Sequence, residues 1–254
     1  MRTLVRICVV ATVVFAATMF LQLDSPRAQA PEEPKNLKVL PKNMTRREVV
    51  DIMRSFTQSL GVRCIECHVS TKAGSERPED MDYAKDEKKD KETARKMMRM
   101  VNSINEQIGK KMELKDALQV GCFTCHHGVK RPETLAAILT KAMGEKGVDG
   151  AIESYRKLRE QYYGSAAYDF SPPSLNRLAT NLAESKKDFD GAIKLVQLNL
   201  EFSPKDSYTH VALGQVQMAK GDKDAAVASF EKAIELDPSN ERAKQQLERA
   251  KAAK

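Results

Sequence analysis

Residues 64–68 read Cys64-Ile65-Glu66-Cys67-His68, and residues 122–126 read Cys122-Phe123-Thr124-Cys125-His126. Both have the form C-x-x-C-H, the pattern that attaches a c-type haem. The chemistry dictates the spacing. Two thiols three residues apart form thioethers to the two vinyl groups on one edge of a porphyrin. The histidine that follows then presents a ring nitrogen to the iron from one side. Together the two copies use every cysteine of the chain except Cys8, so the sequence predicts two covalently bound c-type haems.

The N-terminus supports that prediction. Arg2 and Arg6 precede an apolar run from Ile7 to about Leu23, and Ala28-Gln29-Ala30 has the A-x-A form of a cleavage site. Residues 1–30 therefore read as a signal peptide, cut after Ala30, and the mature chain as periplasmic. The alternative is an uncleaved anchor, since the run is almost long enough to span a bilayer. Haem is attached to C-x-x-C-H outside the cytoplasm, so address and motif agree. A four-cysteine zinc site fits less well, because zinc gives no reason for a histidine after each pair. Two disulfides would suit an oxidising compartment but leave the histidines equally unexplained.

The net charge of +7 falls to +5 once Arg2, Arg6, Arg27 and Asp24 leave with the signal. Basic and acidic residues are interspersed, so nothing calls for nucleic acid. Trp is absent and aromatics make up 6% of the chain. The core must therefore draw on aliphatic residues, Met and cofactor.

Outward from the motifs the chain reads as helix. Thr45-Arg46-Arg47-Glu48 is a capping box, after which Val49, Ile52, Met53, Phe56 and Leu60 fall at helical spacing and Gly61 stops the element. A polar loop is expected over 70–90, with its charges, including those of 80–92, facing solvent. A second helix is expected over 91–108, with Ala94, Met97, Val101, Ile104 and Ile108 on one face and Met98 turned away. Pro132 suits the first position of a third helix.

From Gly144 the pattern changes to repeats. Asp188 and Asp222, Ala192 and Ala226, and Pro204 and Pro238 each recur after 34 residues, the period of a tetratricopeptide repeat. Small residues at Ala192, Ala226 and Ala233 suit close helix pairing, and 239–250 reads as a polar capping helix. The expected fold is all-α: a small dihaem cytochrome domain over 31–143, then a helical-repeat domain over 144–254.

Each iron also needs a ligand opposite His68 or His126. The chain has four histidines. His127 cannot reach round to the far face of the haem held by its neighbour, though the other iron is open to it. His210 lies among the repeats. Two bis-histidine centres are thus nearly excluded by counting, and methionine is left. Met53 lies on the apolar face of the first helix, ahead of Cys64. On the second helix Met97 shares the apolar stripe, with Met100 next in order. His/Met ligation closes the coordination sphere and raises the reduction potential, which suits electron transfer over oxygen or peroxide chemistry.

Residues 36–132 resemble the cytochrome subunit of bacterial photosynthetic reaction centres. The matching stretches are NLKVLPKNMTRREVVDIMRSFTQSLGVRCIECH, TARKMMRMVNSIN and GCFTCHHGVKRP. The resemblance implies that a helix carrying an axial Met precedes each haem, at Met53 and Met97, and that a local pseudo-twofold relates the two haems. That subunit holds four haems and this chain has motifs for two, so the likeness implies a cytochrome module and not photosynthesis. Residues 168–204 resemble tetratricopeptide tails of exported bacterial proteins.

These readings favour an electron carrier, not an enzyme. Its partners would be redox proteins held by the repeats, with association to a membrane complex also open. The alternative is a dihaem redox enzyme, peroxidase-like or thiol-oxidising, for which no acid/base pocket stands out.

Overall fold

Thr45 starts the first helix as its capping box dictates. In the computed structural model, which describes residues 33–111 and 119–252, α1 spans Arg46–Leu60. The backbone N–H of Thr45 donates to Glu48 at 2.8 Å, and the Thr45 hydroxyl accepts from the Glu48 N–H. Gly61 closes the helix in the left-handed region, at φ 62°. The signal segment, its cleavage after Ala30, Cys8 and Met112 lie outside the described residues. Among the described residues no helix is long and apolar enough to cross a membrane.

The first motif forms a single turn, α2 (Cys64–Cys67). The segment expected as a solvated loop has its own architecture. Strands β1 (Val69–Ser70) and β2 (Met81–Asp82) pair antiparallel, with Val69 opposite Asp82 and Ser70 opposite Met81. A 3-10 turn over Pro78–Asp80 leads into β2. Helix α3 then runs Lys89–Lys111. The charges of 80–92 are not all solvent-facing: Lys91 is 9% exposed, and Arg95, one turn further along α3, is 7% exposed. The Lys91 ammonium donates to the carbonyls of Tyr83, Ala84 and Lys85 at 2.9, 3.2 and 2.5 Å. Asp86 takes contacts from Lys91 at 3.0 Å, Arg95 at 2.9 Å, Lys38 at 2.6 Å and Asn36 at 3.0 Å. Buried charges persist where each finds partners, and here they tie the loop and the extended lead-in to α3.

The second motif forms α4 (Cys122–His126). Helix α5 spans Leu135–Tyr162, interrupted at Gly147, where φ is 68° and ψ −171°. It starts after Pro132 because Thr134 caps it, accepting from Ala137 N–H at 3.2 Å. A threonine cap satisfies a terminal donor that proline would only remove. Leu135 and Leu139 already pack with the helices that follow, ahead of the boundary expected at 144.

Those helices come in antiparallel pairs: α6 (Pro172–Lys186) with α7 (Phe189–Phe202), α8 (Ser207–Lys220) with α9 (Lys223–Leu236), then α10 (Glu241–Ala252). Asp188 and Asp222 cap α7 and α9, bonding the N–H groups of Gly191 and Ala225. Ala192, Ala226 and Ala233 are each 0% exposed, as close pairing requires. One apolar cluster joins α5 to α8, and a second joins α8, α9 and α10 around Phe230. Polar ties link the helices within and between these pairs. The Asn199 amide, 1% exposed, donates to Pro172 O and to Asn176 Oδ1, both at 2.8 Å. Asn240 donates to Ser207 Oγ, which donates in turn to Ala233 O.

Candidate haem-binding site

Each C-x-x-C segment folds as one helical turn. This puts the two thiols of a pair, three residues apart, on the same side of the turn. In α2 the His68 N–H closes the turn on Cys64 O at 2.9 Å, and His68 leaves the helix in extended conformation. In α4 the chain exits through His127, left-handed at φ 49°, and Gly128 at φ 88°. Cys64, Cys67 and Cys122 are half-buried and Cys125 is exposed, all as free thiols. Burial pushes the thiols of Cys67 and Cys122 above their ordinary range, so both stay protonated at neutral pH. Addition of a thiol to a vinyl group consumes that proton. Among the described residues no three His, Cys, Asp or Glu side chains gather as a metal cluster.

The two histidines that follow the cysteine pairs are held differently. His126 Nδ1 lies 3.0 Å from Val129 O. A carbonyl only accepts, so Nδ1 carries the proton and the lone pair of Nε2 is left for a metal. His68 is 9% exposed, and its Nδ1 is buried without a hydrogen-bond partner. The edge of its ring meets Tyr83, with centroids 4.9 Å apart. Desolvation, then the nearby Lys91 charge, lowers its pKa to about 4, so the imidazole is neutral and able to ligate. A buried ring nitrogen without a partner is rare in a native fold, and it marks His68 as a side chain whose bonding is incomplete in the protein alone. Paired thiols, each pair followed by an imidazole, are the donor set of a c-type haem, and these residues fit one.

The two motif segments exchange partners: α1 packs on α4, and α3 packs on α2. Beside the α1–α4 contact the backbone approaches closely. Gly128 N–H donates to Ser59 O at 2.9 Å, and a Cβ on Gly61 would overlap the Gly128 carbonyl oxygen. Lys130 adds a charged tie, reaching Glu66 inside the first motif at 3.0 Å and Asp90 on α3 at 2.7 Å. Asn105 fixes the approach to the second motif, donating to Val120 O at 2.9 Å and accepting from Val120 N at 2.8 Å. Sequence reasoning missed Lys130 and Asn105 because neither is apolar, so hydrophobic periodicity does not mark them.

Met53 is half-buried on α1. On α3 Met97 is 43% and Met100 50% exposed, while Met98 is half-buried. The less exposed face of α3 runs through Lys91, Ala94, Met98, Val101 and Asn105, so Met98 is not the residue turned away. Helical periodicity missed this because two of the positions that define the face are Lys and Asn. Met97 and Met100 are both exposed, and exposed Phe123 stands between the second pair of cysteines. Met81 is buried within the hairpin, on β2, and Met143 and Met218 pack in the two repeat-region clusters. His127 is exposed and stacks edge-on against Phe123 at 5.5 Å. His210 stays local, with Nε2 3.1 Å from Pro204 O.

Residues 75–168 match the family profile of the photosynthetic reaction centre cytochrome C subunit. That range contains the second motif and begins after the first. Residues 208–240 match the tetratricopeptide repeat. No curated protein matches the chain. Among solved structures, the first TPR domain of human RPAP3 is 20% identical, over 46% of this chain and 87% of that one, with a TM-score of 0.33. The Sgt2 TPR domain from Aspergillus fumigatus is 23% identical over 46% and 74%, and MamA 19% identical over 66% and 84%, each with a TM-score of 0.32. Similarity at that level does not extend to partners. The chain thus joins a region that matches the reaction-centre cytochrome C family to a tetratricopeptide-repeat region, a pairing that implies a c-type haem electron carrier with a protein-binding arm.

Proposed function

We propose that the mature protein is a periplasmic dihaem cytochrome that carries electrons between partner proteins, with the repeat region holding one of them. Cys64 and Cys67 would anchor one haem and Cys122 and Cys125 the other, with His68 and His126 as proximal ligands. Met53 and Met97 would supply the distal thioethers. A bound haem supplies reversible one-electron chemistry at its iron. The chain does the rest: it keeps His68 neutral by burial, fixes the His126 tautomer through Val129, and locks the two motif segments together through Gly61, Gly128 and Lys130.

The observation that carries this reading is His68, a buried neutral imidazole whose Nδ1 has no partner, at the end of a C-x-x-C turn. A closed His/Met sphere leaves no site for peroxide, so turnover is not expected. The test is haem content and a redox titration of the matured, exported protein. Two covalent haems per chain and reversible two-electron titration are expected, without peroxide consumption. Met53→Ala and Met97→Ala should each abolish the Met–iron charge-transfer band of one haem, while Met98→Ala and Met100→Ala leave both bands. Haem-free protein, or steady turnover of peroxide, would overturn the assignment.

A further inference from the structure

Aromatic residues are only 6% of the chain, yet Tyr155, Tyr162, Tyr163, Tyr168, Phe170 and Phe202 gather at one end of α5. Their successive ring centroids lie between 5.2 and 6.3 Å apart. Arg159 sits among them. Its guanidinium carbon is 3.9 Å from the Tyr163 ring centre, 4.4 Å from that of Phe202 and 5.7 Å from that of Phe170. One guanidinium nitrogen donates to the Tyr155 hydroxyl at 3.4 Å. No carboxylate of the described residues forms an ion pair with it. Glu201 is taken by Arg156, at 2.9 and 2.7 Å, and Asp169 is held by the backbone of Ser171 and the hydroxyl of Ser174.

Aromatic rings cover the faces of a guanidinium and leave its in-plane N–H donors free. Those donors form a fork that matches a carboxylate in bidentate geometry. The rings beside it are open to solvent: Tyr163 is 67% and Phe202 39% exposed, and beyond residue 135 the only other large apolar or aromatic side chain so exposed, among the described residues, is Tyr208. The repeat region therefore carries an exposed aromatic surface around a cation that has no anionic partner among the described residues. It also adjoins the haem-motif junction, because Tyr162, beside Tyr163 on α5, lines a cleft of about 270 Å³ with Gly61, Glu66, Gly128 and Lys130.

We infer that this surface docks a partner protein through an internal Glu or Asp side chain, the carboxylate on the Arg159 fork and a flanking aliphatic side chain on Tyr163 and Phe202. The inference rests on the docking role given to the repeat region and places one contact of that role on α5 and α7.

The test uses the full, matured protein in its reduced state and three peptides: Ac-Leu-Glu-Leu-NH2, Ac-Leu-Gln-Leu-NH2 and Ac-Leu-Gln-Leu-OH. NMR shifts of the Arg159 Nε–H and the Tyr163 ring report binding. The glutamyl peptide should bind at least about tenfold more tightly than either glutaminyl peptide, the scale of one charge-assisted bond. Arg159→Lys, which keeps the charge but loses the fork, should weaken it by about tenfold, and Tyr163→Ala should also weaken it. Equal binding of the glutamyl and glutaminyl amides, tighter binding of the free-acid peptide, or no binding at millimolar concentration would overturn the site. Shifts confined to α6, α8 and α10 would overturn this site while leaving the docking role standing. A redox titration of the same sample tests the carrier role separately.

Discussion

Between residues 33 and 131 the buried apolar side chains, among the described residues, are Met81 and Val129 alone, whereas from Leu135 onward two apolar clusters run through every helix. The first half buries polar groups instead: Ser59, His68, Lys91 and Arg95. Its cohesion comes from ties between named atoms, such as Lys91 on three carbonyls, Asn105 on Val120 and Lys130 on two carboxylates. Net hydrogen bonds and exposed ion pairs contribute only about 1 kcal/mol each. Burial of apolar area is the larger driving force, and the second half has it from its own side chains. The first half has thiols, imidazoles and exposed Met97, Met100 and Phe123, surfaces that a porphyrin plane would turn into a core.

The largest effect expected from this contrast is selective unfolding. With Cys64, Cys67, Cys122 and Cys125 all changed to Ala, residues 33–131 should lose protection from hydrogen exchange while 135–252 keep theirs and melt in one cooperative step. Native-like protection of both halves would show that the first half holds itself together without attachment. The converse change is Phe230→Ala. Phe230 is 0% exposed and its ring lies against Gly214 so closely that a Cβ there would overlap it. Removing the ring should cost about 3–5 kcal/mol, read as a lower denaturation midpoint of the repeat region with haem spectra unchanged. A shift in both would mean the halves unfold as one unit.

The same contrast explains how far the sequence could be read. The repeats were legible because their forces are local and periodic: Asp188 and Asp222 cap, Ala192 and Ala226 pack, and the interval of 34 follows. The motif turns were legible because residues three apart along the chain close a single helical turn. The joint between the motif segments was not, since Gly61 against Gly128 and Lys130 across Glu66 and Asp90 are contacts between residues distant in sequence. The face of α3 was misread for a related reason. Hydrophobic periodicity cannot anticipate that Lys91 and Arg95 turn inward, because their burial depends on Asp86 and on carbonyls of a loop that looked solvated.

A smaller effect should come from that joint. Gly61→Ala puts a side chain at φ 62° and drives a methyl into the Gly128 carbonyl. The backbone cost and the overlap together should destabilise the first half by about 2 kcal/mol. The readout is the denaturation midpoint of the haem absorbance, with the repeat region unmoved. An unchanged midpoint would mean that the α1–α4 contact adds little to the stability of the first half.

The smallest difference should appear in acid. Hydrogen bonds from Lys38, then Asn36 and Lys91, hold the Asp86 carboxylate well below the usual carboxylate range. Arg95 also reaches Asp86, while Glu92 pairs with Arg95 and Asp82 bonds the N–H groups of Ala84 and Lys85. A depressed folded pKa means that the stabilisation is complete above the unfolded value of about 3.9 and is lost as pH falls below it. Amides of 83–86 should therefore lose exchange protection progressively below about pH 4. The repeat region also carries depressed acids, Asp169 bonded by Ser171 and Ser174 and Asp237 bonded by Ser239, so acid alone separates the halves only by degree. Asp86→Asn isolates the first-half contribution. It should lower protection of 83–86 at neutral pH, flatten its acid response, and leave the acid response of the repeats as it was. If the acid response of 83–86 survives the substitution, the charge cluster around Asp86 is not what ties that loop to α3.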